Sequence, residues 1–115
     1  MADTTTSKNI LETVTSFIGD VYDDAFDTEL IISISGFLNS LVQVNVGQNI
    51  DLLSDPSLTW DDFFGAQVGN RSNAIMYVCY NTKLAFNPPL PATIAAMTAA
   101  KDEAFWRARL EFDTV

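Results

Sequence analysis

The chain has 115 residues, of which 48% are hydrophobic, and this length allows one domain with a single modest core. Its net charge of −9, from 15 acidic and 6 basic side chains, repels nucleic-acid phosphates and anionic membrane surfaces. Histidine is absent, which excludes Ser-His-Asp and Cys-His catalysis and the usual zinc ligand sets.

The N-terminal residues, 1–7, are polar and are expected to be flexible. They have neither the basic start nor the apolar run of a signal peptide. No stretch of the sequence approaches the roughly 20 apolar residues that cross a bilayer. We therefore expect synthesis in the cytoplasm and no membrane partner.

Apolar residues at helical spacing predict two helices in the first part of the chain. The first is expected to be capped by Ser7 and to end at Gly19. The second takes Asp27 or Thr28 as its cap and runs to Val42. Residues 32–34 also fit the alternation of a strand, but the length of the pattern favours a helix.

The only metal-like group of side chains lies between these two helices. An EF-hand counted from Asp20 needs glycine at its sixth position and glutamate at its twelfth, where this chain has Ala25 and Ile31. We therefore expect no metal or other cofactor. The acids form either a solvated loop that favours the positive N-terminus of the second helix or a nonspecific cation site; they are Asp20, Asp23, Asp24, Asp27 and Glu29.

Residues 44–58 lose the helical period and alternate around Gly47, which predicts an extended loop or a short pair of strands. The next segment, "TWDDFFG", predicts a short helix with Thr59 as its cap and Asp62 completing a capping box. Its aromatic residues, Trp60, Phe63 and Phe64, are either an exposed anchor for a partner or part of the domain's own core.

A fourth helix is predicted from a cap at Asn70 or Ser72 through Phe86. It contains the single cysteine, Cys79, which reads as a core thiol and cannot form a disulfide within the chain. Three prolines in "FNPPLP" end this helix near Asn87, because proline has no amide hydrogen and biases the preceding residue toward extended geometry.

The last helix is predicted from Pro91, which suits a first helical turn, to Phe112. Alanine recurs along it, so that another helix can approach closely, and larger apolar residues lie beside the alanines. This pattern fits either a core helix of a bundle or contact between subunits. The sequence predicts a single all-α domain, residues 1–115: a small bundle of four to five helices with an irregular or short-strand excursion between the second and third.

Four short stretches, in this order and spacing, resemble the head-tail connector, or head-completion adaptor, proteins of tailed bacteriophages. They are "FDTEL" at 26–30, "TWDDF" at 59–63, "FNPP" at 86–89 and "EAFWR" at 103–107. The resemblance covers residues 10–112.

The resemblance implies a structural protein without catalysis, located in the virion at the junction of head and tail. It implies a ring, commonly twelvefold, beneath the portal, which extends the DNA channel and contacts the next connector or a tail protein. DNA then passes through the lumen without specific binding, as an acidic bore permits.

By the same resemblance, the C-terminal part of the chain contacts the portal and the excursion after the second helix contacts a neighbouring subunit or the lumen. The implied portal contacts are Phe105, Trp106, Arg107, Arg109 and Phe112. The implied subunit or lumen contacts are Val44, Val46, Gln48, Asp51, Asp55, Trp60, Asp61 and Asp62.

The composition leaves one alternative of another class, a small acidic regulatory binder such as a nucleic-acid mimic or an antitoxin-like module. A mimic needs its acids spread as an array over the surface. Here they concentrate before the second helix and within residues 51–62.

Overall fold

The computed structural model describes residues 9–19, 27–67 and 71–113, which form five α-helices. They are α1 (Ile10–Ile18), α2 (Asp27–Val42), α3 (Trp60–Phe64), α4 (Ser72–Phe86) and α5 (Pro91–Asp113). The predicted all-α fold is confirmed. The described residues contain no strand, and an isolated bridge between Asn9 and Thr59 is the one β-type pairing within them.

Helix α1 begins two residues later than predicted. Asn9, and not Ser7, is the N-cap, and its Oδ1 accepts a hydrogen bond of 2.6 Å from the backbone N–H of Glu12. The predicted stop is confirmed, because Gly19 adopts φ 94° and its N–H donates to the carbonyl of Thr15.

Helix α2 forms as predicted, but neither of the residues suggested as its N-cap precedes the helix. The helix includes both Asp27 and Thr28. After its last residue, Asn45 adopts the left-handed φ of 67°, which asparagine tolerates, and turns the chain back. The N–H of Val46 then donates to the carbonyl of Leu41 at 2.9 Å.

Helix α3 confirms the predicted capping box. The Thr59 hydroxyl accepts from the N–H of Asp62, and the Asp62 carboxylate accepts from the N–H of Thr59 at 2.8 Å. The aromatic side chains of this helix lie in the core, which decides against an exposed anchor. The buried core consists mainly of residues from α1, α2, α3 and α4; its largest members are Trp60, Phe63, Phe64, Ile10, Ile18, Leu30, Ile34, Leu41 and Leu52.

Helix α4 is central, since it packs against α1, α2 and α5. Its first residue is Ser72, so Ser72 is not the N-cap that the sequence suggested. Arg71 occupies the cap position without a side-chain capping bond. The Arg71 guanidinium instead pairs with the Asp61 carboxylate and lies 4.9 Å from the centre of the Phe64 ring. The other suggested cap, Asn70, lies outside the described residues.

The proline-rich turn between α4 and α5 has the predicted mechanical role. Helix α4 ends at Phe86, and Asn87 closes it by donating its N–H to the carbonyl of Lys83. The Asn87 side chain also donates to the carbonyl of Ile18 at 2.8 Å, which ties the turn to the end of α1. Helix α5 then begins at Pro91, as predicted.

Helix α5 packs chiefly against α4. A row of residues four apart, Ala104, Ala108 and Phe112, is buried against the rest of the domain. The alanines of the first turns do not share this burial, because Ala92, Ala96 and Ala99 are exposed. The last helix therefore buries one face and leaves the other uncovered.

Candidate functional site

The uncovered face of α5 ends in an aromatic and basic patch. Trp106 is 58% exposed and Leu110 is 46% exposed, and both lie one helical turn apart on the side opposite the buried row. Arg107 and Arg109 flank them and are also exposed. We call these four residues the C-terminal surface.

The two arginines of the C-terminal surface differ in their partners. The Arg107 guanidinium lies 2.7 Å from the carboxylate of Glu103, one turn earlier, and both side chains are well exposed. Such a solvent-exposed pair adds little stability. Arg109 makes no ion pair within the described part of the chain.

Two residues predicted at the portal contact do not lie on this surface. Phe112 is 2% exposed, and its ring stacks on that of Phe64 at 5.7 Å, so the structure corrects its assignment to a surface. Phe105 is half-buried and its ring lies 4.8 Å from that of Tyr77 on α4. Leu110 was not predicted, although its spacing of four from Trp106 places both on one helical face.

The segment between α2 and α3 is a folded loop with an acidic outer side. Its backbone is fixed to α3, because the N–H of Gln48 donates to the carbonyl of Phe63 at 2.8 Å. The Gln67 side chain accepts from the N–H of Gly47 and donates to the carbonyl of Asn45, each at 2.6 Å. We call the exposed acids of this segment and of the first turn of α3, together with one exposed leucine, the loop surface; they are Asp51, Leu53, Asp55, Asp61 and Asp62.

The carboxylates of the loop surface are already engaged within the chain. The Ser54 hydroxyl donates to Asp51 at 2.7 Å and the Ser54 N–H donates to it at 3.1 Å. These bonds favour the ionised carboxylate and lower the pKa of Asp51. Asp61 pairs with Arg71, and Asp62 completes the capping box of α3. The acidic side is therefore a set of carboxylates held in place by contacts within the chain.

Three residues predicted at a subunit or lumen contact lie inward. Val46 and Trp60 are fully buried, so neither side chain can touch a neighbouring chain, and their assignment is corrected. The Trp60 indole N–H donates to the Thr13 hydroxyl at 3.0 Å. Val44 is half-buried against the core, while Gln48 is exposed and donates its side-chain amide to the Asp62 carbonyl at 2.9 Å.

An open groove runs between α4 and α5 and was not predicted from the sequence. Ala100 and Ala104 leave room beside Met76, which is 39% exposed. We call this the interhelical groove; it is lined by Asn73, Met76, Ala100, Glu103, Ala104 and Arg107. A second shallow depression continues it toward the C-terminal surface, past Trp106 and Leu110.

Residues 10–115 match the family model described as phage connector protein. The chain belongs to this family. Searches of curated proteins and of solved structures returned no match. Membership makes the chain a connector of the phage virion and implies contact with portal or tail proteins. The sequence resemblance to head-tail connectors is thereby confirmed.

The remaining expectations about the connector concern metals, membranes and the thiol. Within residues 9–19, 27–67 and 71–113, no three histidine, cysteine or acidic side chains are grouped to hold a metal ion. The acids at 20, 23 and 24 lie outside that part.

None of the helices in the described ranges is long and apolar enough to span a bilayer. Cys79 is buried, as predicted, and desolvation raises the pKa of its thiol to about 12.

Proposed function

We propose that the connector assembles as a twelvefold ring beneath the portal and extends the DNA channel toward the tail. The family match over residues 10–115 carries this proposal. The uncovered face of α5 supports it, since an exposed tryptophan beside an exposed leucine favours burial against another protein. The role is structural: the chain provides shape and contacts, without a catalytic step.

The proposed portal contact consists of the exposed residues Trp106, Arg107 and Arg109. Tryptophan and arginine are enriched among the interface residues that contribute most to binding. Arg109 has no ion-pair partner in the described part of the chain, so it can pair with a carboxylate of the portal.

The proposed role of the loop surface is to face the lumen or a neighbouring subunit. Its four carboxylates are exposed, and a ring of them repels the phosphates of DNA instead of binding them. The net charge of −9 likewise makes the subunit as a whole repel the phosphates of DNA. DNA then passes the ring without specific binding.

Sedimentation of the connector with the portal of its own phage tests the proposal. We expect the mixture to form a particle larger than the portal alone. Trp106→Ala should weaken portal binding about 30-fold, the effect of losing a central contact worth about 2 kcal/mol. Leu90→Ala, which alters a residue that is 77% exposed in the proline-rich turn, is the matched control and should bind normally. A connector that stays monomeric beside the portal contradicts the proposal.

A further inference from the structure

The interhelical groove combines small and apolar side chains with a polar edge. It is lined by the small residues Ala100 and Ala104 and by Met76, which is 39% exposed. At its edge are the amide of Asn73, which donates to Glu111 at 2.8 Å, and the ion pair of Arg107 with Glu103. An apolar group placed there can contact the alanine and methionine side chains and has the Arg107–Glu103 ion pair beside it.

The loop surface presents a side chain of the matching kind. Leu53 is 54% exposed, although its neighbour Leu52 is buried in the core and fixes the loop at this point. Asp51 and Asp55 lie on either side of it in the sequence, and both are exposed. The loop therefore holds an exposed leucine between two exposed carboxylates.

The distribution of charge favours contact between unlike regions of two copies. Residues 1–65 carry 11 acids and one base, whereas residues 66–115 carry 4 acids and 5 bases. Two loop surfaces brought face to face would repel each other. A loop surface brought against α4 and α5 meets a region whose net charge is close to zero and which contains Arg107.

We propose that Leu53 of one connector enters the interhelical groove of a second copy, with Asp51 or Asp55 approaching Arg107 of that copy. This inference rests on the proposed ring and names its subunit contact. The contact is heterologous, because it joins the loop surface of one chain to the interhelical groove of the next. Repetition of such a contact closes into a ring when the rotation between copies permits it. Arg107 then lies where the subunit contact meets the C-terminal surface, and Trp106, Arg109 and Leu110 remain for the portal.

Disulfide trapping tests the contact. One chain carries Leu53→Cys and the other Met76→Cys; the native Cys79 stays in both because it is buried. The two chains are mixed with the portal, the portal-bound fraction is isolated and then mildly oxidised. We expect a disulfide that joins the two different chains. The matched control replaces Leu53→Cys by Ile32→Cys, which alters a residue of similar exposure, 56%, on α2.

The outcomes separate the contact from the ring. Portal-bound particles with no more mixed disulfide than the Ile32→Cys control overturn the contact and leave the ring standing. A disulfide between two Leu53→Cys chains, in place of the mixed one, also overturns it, because it shows loop against loop. Failure of both chains to bind the portal contradicts the ring itself, and the contact with it.

A charge exchange provides a second readout. Adding Arg107→Glu to the Met76→Cys chain should lower the yield of mixed disulfide about fivefold. Adding Asp51→Lys and Asp55→Lys to the Leu53→Cys chain should restore it, since the charges are then opposite again. A yield that does not respond to either change contradicts the predicted pairing.

Discussion

The two tryptophans of the connector lie in regions that resemble each other in sequence and differ in structure. Trp60 is followed by two acids and two phenylalanines, and Trp106 is preceded by a phenylalanine and followed by an arginine. Trp60 is fully buried, whereas Trp106 is 58% exposed. Composition alone does not explain the difference, because both segments are aromatic, charged and helical.

Spacing explains it. In α3 the aromatic residues at 60, 63 and 64 lie on one helical face, so all three enter the core while Asp61 and Asp62 stay outside. In α5 two aromatic residues are adjacent, and adjacent residues point about 100° apart on a helix. Phe105 packs against α4, and Trp106 is therefore turned toward solvent. One region completes the core and the other provides a surface.

The comparison predicts that the same substitution lowers the free energy of unfolding strongly at one tryptophan and hardly at all at the other. Trp60→Ala should lower the free energy of unfolding by about 3–5 kcal/mol, because it removes a fully buried ring and its hydrogen bond to Thr13. Trp106→Ala should change it by less than about 0.5 kcal/mol. Denaturant unfolding measures both. A similar loss in the two variants would show that α5 buries Trp106 after all.

Two glycines give a matched pair for the α2–α3 region. Gly47 has φ 80°, and a Cβ there would lie 2.2 Å from the Phe63 ring. Gly47→Ala should therefore lower the free energy of unfolding by about 2–4 kcal/mol, from left-handed strain and overpacking. Gly36 is helical with open space around it, so Gly36→Ala should raise stability by about 0.5–1 kcal/mol. Equal unfolding midpoints for the two variants would contradict the placement of Phe63.

Burial of the Cys79 thiol should make the free energy of unfolding fall as the pH rises above about 9. Its folded pKa of about 12 lies above the ordinary value of 9.0, because burial disfavours the thiolate. The unfolded chain thus loses its thiol proton first, and the contribution is complete below pH 9 and is lost between about pH 9 and 12. Relative to Cys79→Ala, the protein should lose about 1 kcal/mol between pH 8 and pH 10. A constant difference between the two proteins would show that the thiol is hydrated.

The smallest expected effect concerns the loop surface. Asp51 has a lowered pKa because Ser54 donates two hydrogen bonds to its carboxylate. Its contribution to stability is present above its ordinary pKa and is lost as pH falls through the lowered value. Ser54→Ala should raise the pKa of Asp51, as seen by NMR titration of the carboxyl carbon. Ser57→Ala, which alters the partner of Asp55, is the control and should leave Asp51 unchanged.

The sequence predicts those features of the fold that local chemistry determines. The capping box at Thr59, the turn at Gly19 and the start of α5 at Pro91 each follow from one or two residues. The start of α4 does not, because Arg71 is recruited by Asp61 and Phe64 from another element. A local sequence pattern does not show such tertiary contacts.

The candidate surfaces were predicted only in part, for a related reason. Helical periodicity identifies a buried and an exposed face, but the sequence does not show how far a neighbouring helix covers them. Phe112 was assigned to the portal contact by the family resemblance, which does not show that its ring stacks on Phe64. The interhelical groove was missed because Met76 and Ala100 come from different helices and meet only in the fold.

Hydroxyl-radical footprinting of the connector, free and bound to its portal, tests most directly the claim that α5 is the binding element. Mass spectrometry resolves the oxidation of each tryptophan. We expect Trp106 to be oxidised rapidly in the free chain and slowly in the complex, while Trp60 is protected in both. Equal oxidation of Trp106 in the free and the portal-bound connector would contradict the account.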